Sequence, residues 1–373
     1  MNFLTVNKMY YPEIGGVEIV AKKIAEIAKN EGFNSEVLTF NVENIYIKER
    51  INNIDVYRLP SIFRKDPIRW SNSYRKKLNE LAQKSEILLF HFPSFQPEME
   101  FFILNKYRQN KKICFYHADI VGKGIIGNIY NNIFVENYLK KMNKIIVTSP
   151  NILKTSPYLQ KYKYKIDIIP LFVDTEHFYY RQNNKRNYLL NKFKAAKDSK
   201  LILYIGRFGR YKGLDYLIKS LLNLPKNVFL ILIGNGPKKD VLEKLVKVLN
   251  LKERVLFLNH ISYEELPYYY NAADIFVLPS IDRGEAFGLV GLEAMACGVP
   301  VITTELGTGT SFYNLNHITG EVIKPQSSDE ISKTILDIIN NKYTYDKNEI
   351  IKRANEFSLE KFYKNVKEKI LNA

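Results

Sequence analysis

RGEAFGLVGLEAMACGVPVI, residues 283–302, is the stretch on which the reading of this chain turns. A loop carrying Glu285 leads into LVGLEAMA, a run of helical length built from small and apolar residues, which stops at Gly298 and Pro300. A second glutamate, Glu293, stands eight positions after the first. DIFVLPS (274–280) before the stretch and VPVITT (299–304) at its end are short apolar runs of strand length. Strand, loop, helix and strand make the repeating unit of a parallel sheet. Gly288 falls at the start of the helix, where backbone N–H groups lack intrahelical partners and can receive an anion or a sugar hydroxyl. Glycine there lets a ligand come close. Two carboxylates more than a turn apart can accept from vicinal hydroxyls at two ends of one ligand.

Outward from this unit, the same alternation runs along the chain twice. FLTVN (3–7) is followed by a loop ending in Gly15 and Gly16, then by apolar residues at helical spacing from Val17 to Ala28, with Gly32 as the stop. Further strands are expected at 36–40, 55–59, 87–92, 113–118, 144–149 and 165–170. A polar, basic interval over 171–199 interrupts the rhythm and reads as a linker. LILYIG (201–206) restarts it, with strands expected at 228–235 and 255–261 before the opening unit. Most of these runs are continuously apolar, which favours parallel sheets buried on both faces. The expected fold is α/β, with two doubly wound Rossmann-like domains, residues 1–175 and 176–357, facing a central cleft. The tail 358–373, amphipathic over SLEKFYKNVKEKIL, is expected to pack back on the first domain. Ligands of such sheets bind outside the carboxyl ends of the strands.

Composition bounds the alternatives. The 373 residues suffice for two cores. Only two cysteines occur, far apart, so a disulfide framework is not expected and a reducing cytoplasm is. The first residues do not read as a signal peptide, and no uncharged apolar run has the length of a membrane span. The net charge of +16 is uneven: residues 1–170 hold 26 Lys and Arg against 16 Asp and Glu. A basic first half suits an anionic partner, although lysine is abundant throughout.

Four further motifs sit at expected strand ends: YYPEIGGVE (10–18), YHAD (116–119), GRFGRYKG (206–213) and IGNGP (233–237). Together with EAFGLVGLEAMACGVPVI they resemble, in order and over nearly the whole chain, the retaining glycosyltransferases of family 4 with the GT-B fold. In GRFGRYKG, Arg207 and Lys212 place two cations after a strand, suited to the charge on a departing diphosphate. The resemblance implies that role for both. It also implies that His117 contacts the transferred sugar and that Glu285 binds its hydroxyls. The Phe287, Gly288 and Leu289 backbone would face sugar and phosphate, and Glu293 would hold the ribose. Gly15 and Gly16 would admit phosphate or acceptor, and His260 and Ile261 would flank the base. Asp119 is expected to orient an acceptor hydroxyl or the imidazole. Glu285 as a nucleophile on the far face of the sugar stays open beside front-face attack, in which the donor phosphate helps take the acceptor proton. No zinc-type Cys/His spacing and no Asp-x-Asp pair is present, so neither metal nor other cofactor is expected.

LGTGTSFYNLNHITGEVI (306–323) is similar to bacterial O-antigen and exopolysaccharide transferases. This implies a mannosyltransferase using GDP-mannose, with a UDP-linked hexose or N-acetylhexosamine as the alternative. A lipid-linked saccharide acceptor at the inner face of the plasma membrane follows from the same resemblance. Arg64, Lys65, Arg69, Arg75, Lys76 and Lys77, beside Trp70, form a candidate contact with anionic headgroups. A sugar-nucleotide 2-epimerase of the same architecture and a basic nucleic-acid-binding protein are the rivals. The first generally lacks the EAFGLV context, and no nucleic-acid-binding signature is present to support the second.

Overall fold

The computed structural model describes residues 1–13, 15–62, 68–120, 130–259 and 261–372. It divides the chain into two compact units, Met1–Leu171 with Phe362–Ala373, and Phe172–Lys361.

The first unit is built on one sheet. Its strands are β1 (Asn2–Val6), β2 (Asn34–Phe40), β3 (Ile47–Ile51), β4 (Ile54–Leu59), β5 (Ile87–Phe92), β6 (Lys111–Tyr116), β7 (Lys144–Val147) and β8 (Ile166–Ile168), in the spatial order 3-4-2-1-5-6-7-8. All pairings are parallel except β3 with β4. Every side chain of ILLFHF in β5 is buried, as expected of a central strand covered on both faces. The strand β3 was not expected from the sequence, because Lys48, Glu49 and Arg50 break any apolar run. It is an edge strand, where charge discourages further pairing. Asn52 and Asn53, both at positive φ (50° and 62°), close its two-residue hairpin. The helix Gly16–Asn30 buries Val20, Ala21, Ile24, Ala25, Ile27 and Ala28 at helical spacing. The tail Leu359–Val366 is helical and continues as a wider turn over Lys367–Leu371. Its residues beyond Lys361 belong to this unit: Tyr363 donates to Glu31 (2.6 Å) and Lys369 Nζ to the Ile168 carbonyl (2.9 Å).

The second unit holds β9 (Lys200–Ile205), β10 (Val228–Ile233), β11 (Val255–Leu258), β12 (Ile275–Leu278), β13 (Val301–Thr304) and β14 (Gly320–Ile323), in the order 11-10-9-12-13-14 and parallel throughout. The interval expected as a linker is structured instead. Lys185–Phe193 is a helix with Leu189 and Leu190 buried, and Arg186 clamps it to Asp274 (2.9 Å) and to the Ser199 carbonyl (2.8 Å). Its apolar residues are too few to show through the surrounding charge. The helix Leu289–Ala296 is apolar nearly all round and largely buried. It packs so closely that a Cβ on Gly291 would stand 2.1 Å from the Tyr313 hydroxyl. Among the described residues no helix is long and apolar enough to cross a membrane.

Each sheet reverses its winding at one place, β1/β5 in the first and β9/β12 in the second. Loops leaving those carboxyl ends diverge and open a crevice for a ligand.

Candidate active site

In the second unit the reversal brings 206–213, after β9, beside 279–288, after β12. Glycine makes the fit possible. Gly213 has φ +64°, and a Cβ there would lie 2.2 Å from the Pro279 carbonyl oxygen. Ile281 N donates across the seam to the Tyr211 carbonyl (2.8 Å). The loop after β10 interlocks with the first of these: Phe208 N donates to the Asn235 carbonyl (2.8 Å), and a Cβ on Gly234 would stand 2.0 Å from the Gly206 carbonyl. Gly213, Gly234 and Gly236 therefore serve loop-on-loop packing.

This seam holds a buried ion pair. Lys212 Nζ donates to Glu285 Oε2 at 2.6 Å, and Ser280 Oγ donates to the same oxygen at 2.7 Å. Lys212 is 7 % exposed and Glu285 6 %. Burial works against the ammonium charge, but the Glu285 carboxylate, joined by Tyr204 and Tyr211, outweighs it and holds the Lys212 pKa above its ordinary value. Both donors use Oε2, so Oε1 is left without a hydrogen bond among the described residues. Arg207, on the same loop, is exposed, as is Arg210. The phosphate cation and the sugar carboxylate expected to act separately are thus directly paired before any ligand arrives.

Glu293 is held differently. Tyr270 donates to its Oε2 at 2.6 Å, and the partly exposed carboxyl, crowded by burial against which the Tyr270 bond works, has its pKa raised to about 7. Gly288 takes φ +78° at the helix cap, where a Cβ would meet Leu278 at 2.5 Å, and its carbonyl accepts from Tyr313 (3.1 Å). The Phe287 side chain is core, wedged against Gly309 and Tyr313, so only its backbone can face a ligand. Leu289 and Ile261 are partly exposed, and His260 lies outside the described residues. A recess of about 340 Å³ lined by Tyr180, Asn271, Asp274, Cys297 and Lys347 lies at the other, amino end of β12 and β13. Asp274 there is already committed to Arg186 and to Leu201 N (2.7 Å), so the recess is not the site read here.

In the first unit, His117 follows β6 and is 2 % exposed. Its Nε2 lies 2.9 Å from Nδ1 of His91, the penultimate residue of β5. Burial lowers the pKa of both rings, His91 to about 3 and His117 well below the ordinary value, the latter aided by His91 and Lys8. Of the two expected partners of Asp119, an acceptor hydroxyl or the imidazole, the imidazole is not among its bonds to described residues. Its Oδ1 accepts from Tyr116 (2.7 Å) and Ser156 (2.6 Å), and the hydrogen-bond partner of the His117 ring is His91. Gly15 is the N-cap of Gly16–Asn30. A Cβ there would come within 2.2 Å of the Glu18 carboxylate, which reaches back over the cap, whereas one on Gly16 would meet nothing. Gly15 thus makes room for the chain's own carboxylate at this helix end.

The candidate headgroup contact is brought together only in part. Arg69 is buried at 3 % exposure, and Trp70 packs edge-on against Phe95. Arg75 pairs with Glu100 (2.7 Å) and lies over Phe102, and Lys77 pairs with Glu80 (2.7 Å). Lys76 is exposed, and Arg64 and Lys65 lie outside the described residues. Among the described residues of the run, Arg75 and Lys76 are thus exposed, while Arg69 turns into the core. Ser280, Tyr270 and His91 were not singled out for the site. Ser280 and His91 could have been weighed as polar side chains at strand ends beside winding reversals. Nothing in YYY (268–270) distinguishes Tyr270.

Residues 14–177 match the family described as Glycosyltransferase Family 4, and residues 186–357 match Glycosyl transferases group 1. The chain is 27 % identical over 350 residues to O-antigen chain mannosyltransferase C of Escherichia coli, covering 92 % of this chain and 90 % of that one. It is 28 % identical over 326 residues to D-rhamnosyltransferase WbpZ of Pseudomonas aeruginosa, covering 87 % and 83 %. Anabaena HepE, solved in complex with UDP-glucose, shares the fold over the full length of both chains, with a TM-score of 0.77 at 17 % identity. The chain belongs to the GT-B glycosyltransferases of family 4 and resembles O-antigen transferases.

Proposed function

We propose that the chain is a retaining, metal-independent hexosyltransferase that moves mannose from GDP-mannose onto a lipid-linked or oligosaccharide acceptor in surface polysaccharide synthesis. The observation that carries the donor site is the buried Lys212–Glu285 pair at the β9/β12 reversal, beside exposed Arg207. Two cations on one loop suit a diphosphate leaving group, whose charge grows as the glycosidic bond breaks. They supply the positive charge that a metal provides in other transferases. The Oε1 atom of Glu285 suits a sugar hydroxyl. Its Oε2, engaged by Lys212 and Ser280, supports a binding role over nucleophilic attack. Glu293 is assigned to the ribose. His117 is assigned to the transferred sugar and Asp119 to the acceptor.

Mannose rests on the mannosyltransferase relative. The rhamnosyltransferase relative and the UDP-glucose complex of the structural neighbour support a second reading with another donor, UDP-linked or otherwise. Work at the inner face of the plasma membrane is proposed from the lipid-linked acceptor alone. The test is thermal stabilisation of the purified protein by GDP, UDP, GDP-mannose and UDP-sugars, since a ligand bound only by the native state must raise its melting temperature. Selective stabilisation by guanine ligands is expected. Selective stabilisation by uridine ligands would replace mannose and retain the transferase, and none by any sugar nucleotide would remove the donor site.

A further inference from the structure

His91 and His117 share one hydrogen bond, His91 Nδ1 to His117 Nε2 at 2.9 Å, and their ring planes lie 16° apart with Phe115 against both. His91 is 1 % exposed, and its other nitrogen, Nε2, is buried without a hydrogen-bond partner among the described residues. A bond between two imidazoles needs one N–H and one bare nitrogen, and a neutral imidazole carries a single proton. Burial keeps both rings neutral, so two arrangements remain. If His117 donated from Nε2, His91 would have to carry its proton on Nε2, leaving a buried N–H with nothing to bond. If His91 donates from Nδ1, the partnerless atom is a bare nitrogen, and His117 carries its proton on Nδ1. Orphaned buried N–H donors are among the rarest groups in native proteins.

We infer that His91 is a positioning residue that locks His117 in the Nδ1–H tautomer, so that His117 offers a hydrogen-bond donor and has no basic nitrogen to spare. Nε2 of His117 spends its lone pair on His91, and Nδ1 carries the proton. His117 can then hold a sugar oxygen but cannot take the proton of an acceptor hydroxyl, which must leave by another group. The functional part of this rests on the reading that His117 contacts the transferred sugar; the tautomer itself rests only on the ring pair.

The experiment is long-range 1H–15N correlation on the full chain labelled with 15N-histidine, which separates protonated from bare ring nitrogens. Spectra of wild type, His91→Asn and His91→Leu are compared, the first two also with GDP-mannose and with UDP-glucose. The signals absent from both variants belong to His91. Expected are protonated Nδ1 and bare Nε2 on both His91 and His117. In His91→Leu the His117 pattern should shift towards protonated Nε2, and His91→Asn, whose amide can donate from the same place, should restore it. A wild-type His117 protonated on Nε2 overturns the inference, as does His91→Leu with the His117 tautomer unchanged. Should the leucine variant not fold, the wild-type pattern decides by itself. If the tautomer is as expected but neither sugar nucleotide moves the His117 signals, the ring-pair assignment stands and the sugar-contact reading falls.

Discussion

The two units solve the same geometric problem with opposite electrostatics. In the second, the loops after β9 and β12 bury a lysine against a glutamate and keep an arginine at the surface. In the first, His91 near the end of β5 and His117 just after β6 form a neutral, buried pair of imidazoles, with the Asp119 carboxylate tied down by two hydroxyls. A crevice that must meet a diphosphate needs fixed charge whose desolvation is already met by a partner. One that handles sugar hydroxyls needs aimed donors and acceptors more than net charge. The difference fits the proposed function, in which the second unit meets the diphosphate and the first meets sugar hydroxyls.

The comparison breaks most easily at Lys212. Lys212→Ala strands Glu285 as a buried uncompensated charge and should cost about 3–5 kcal/mol, read as a lower urea midpoint. Transfer should fall about 100-fold or more. Replacing both partners, Lys212→Met with Glu285→Leu, should recover much of the stability and none of the transfer. If the single variant is as stable as wild type, the pair is not the organising feature of this half.

Glu293 sharpens the same side through pH. Its folded-state pKa of about 7 lies above the ordinary carboxyl value of 4.5, so the native state holds a proton that the unfolded chain releases. Its contribution to stability is therefore full below about pH 4.5 and declines as pH rises towards 7. The decline is at most ~3 kcal/mol, less for the partial exposure of the carboxyl. Glu293→Gln should flatten that part of the stability curve, and an unchanged curve would put the carboxyl in a wetter place than the structure does.

Gly213→Ala tests the seam itself. A residue held at φ +64° and pressed against the Pro279 carbonyl should destabilise the second unit by about 1–3 kcal/mol. On the neutral side, Ser156→Ala removes one donor from Asp119 and should cost only about 1 kcal/mol. A loss there as large as at Lys212 would erase the contrast between the two halves.

Much of the fold was legible because buried parallel strands advertise themselves. ILLFHF and VFLILI are uninterrupted apolar runs, and LVGLEAMA, bounded by glycine at both ends, is helical over the residues its pattern marks. What stayed hidden has physical causes. The edge strand β3 is charged, and the helix Lys185–Phe193 shows only two buried leucines amid basic residues. The candidate site was legible as residue types at strand ends, but not as contacts. That Lys212 reaches Glu285, 73 positions away, depends on the order in which strands wind. That Asp119 turns to Tyr116 and Ser156, leaving His117 to His91, depends on side-chain packing that no motif encodes. In the basic run around Trp70, charge was legible but its surroundings were not: Arg69 turns into the core, and Arg75 and Lys77 enter separate ion pairs.

If the loop after β9 meets the diphosphate of a sugar nucleotide, as proposed, the exposed Arg207 is where that contact is tested most directly. Calorimetric titration of wild type and Arg207→Ala with GDP-mannose and UDP-glucose, alongside urea unfolding of both, is the direct measurement. Loss of a charged hydrogen bond should weaken binding by about 1.5–3 kcal/mol, and the unfolding curves separate that loss from any change in stability. Binding of a sugar nucleotide by a folded Arg207→Ala that is weakened relative to wild type is the predicted result. Equal affinity in the two proteins, or no affinity of the wild type for either nucleotide sugar, would contradict the account.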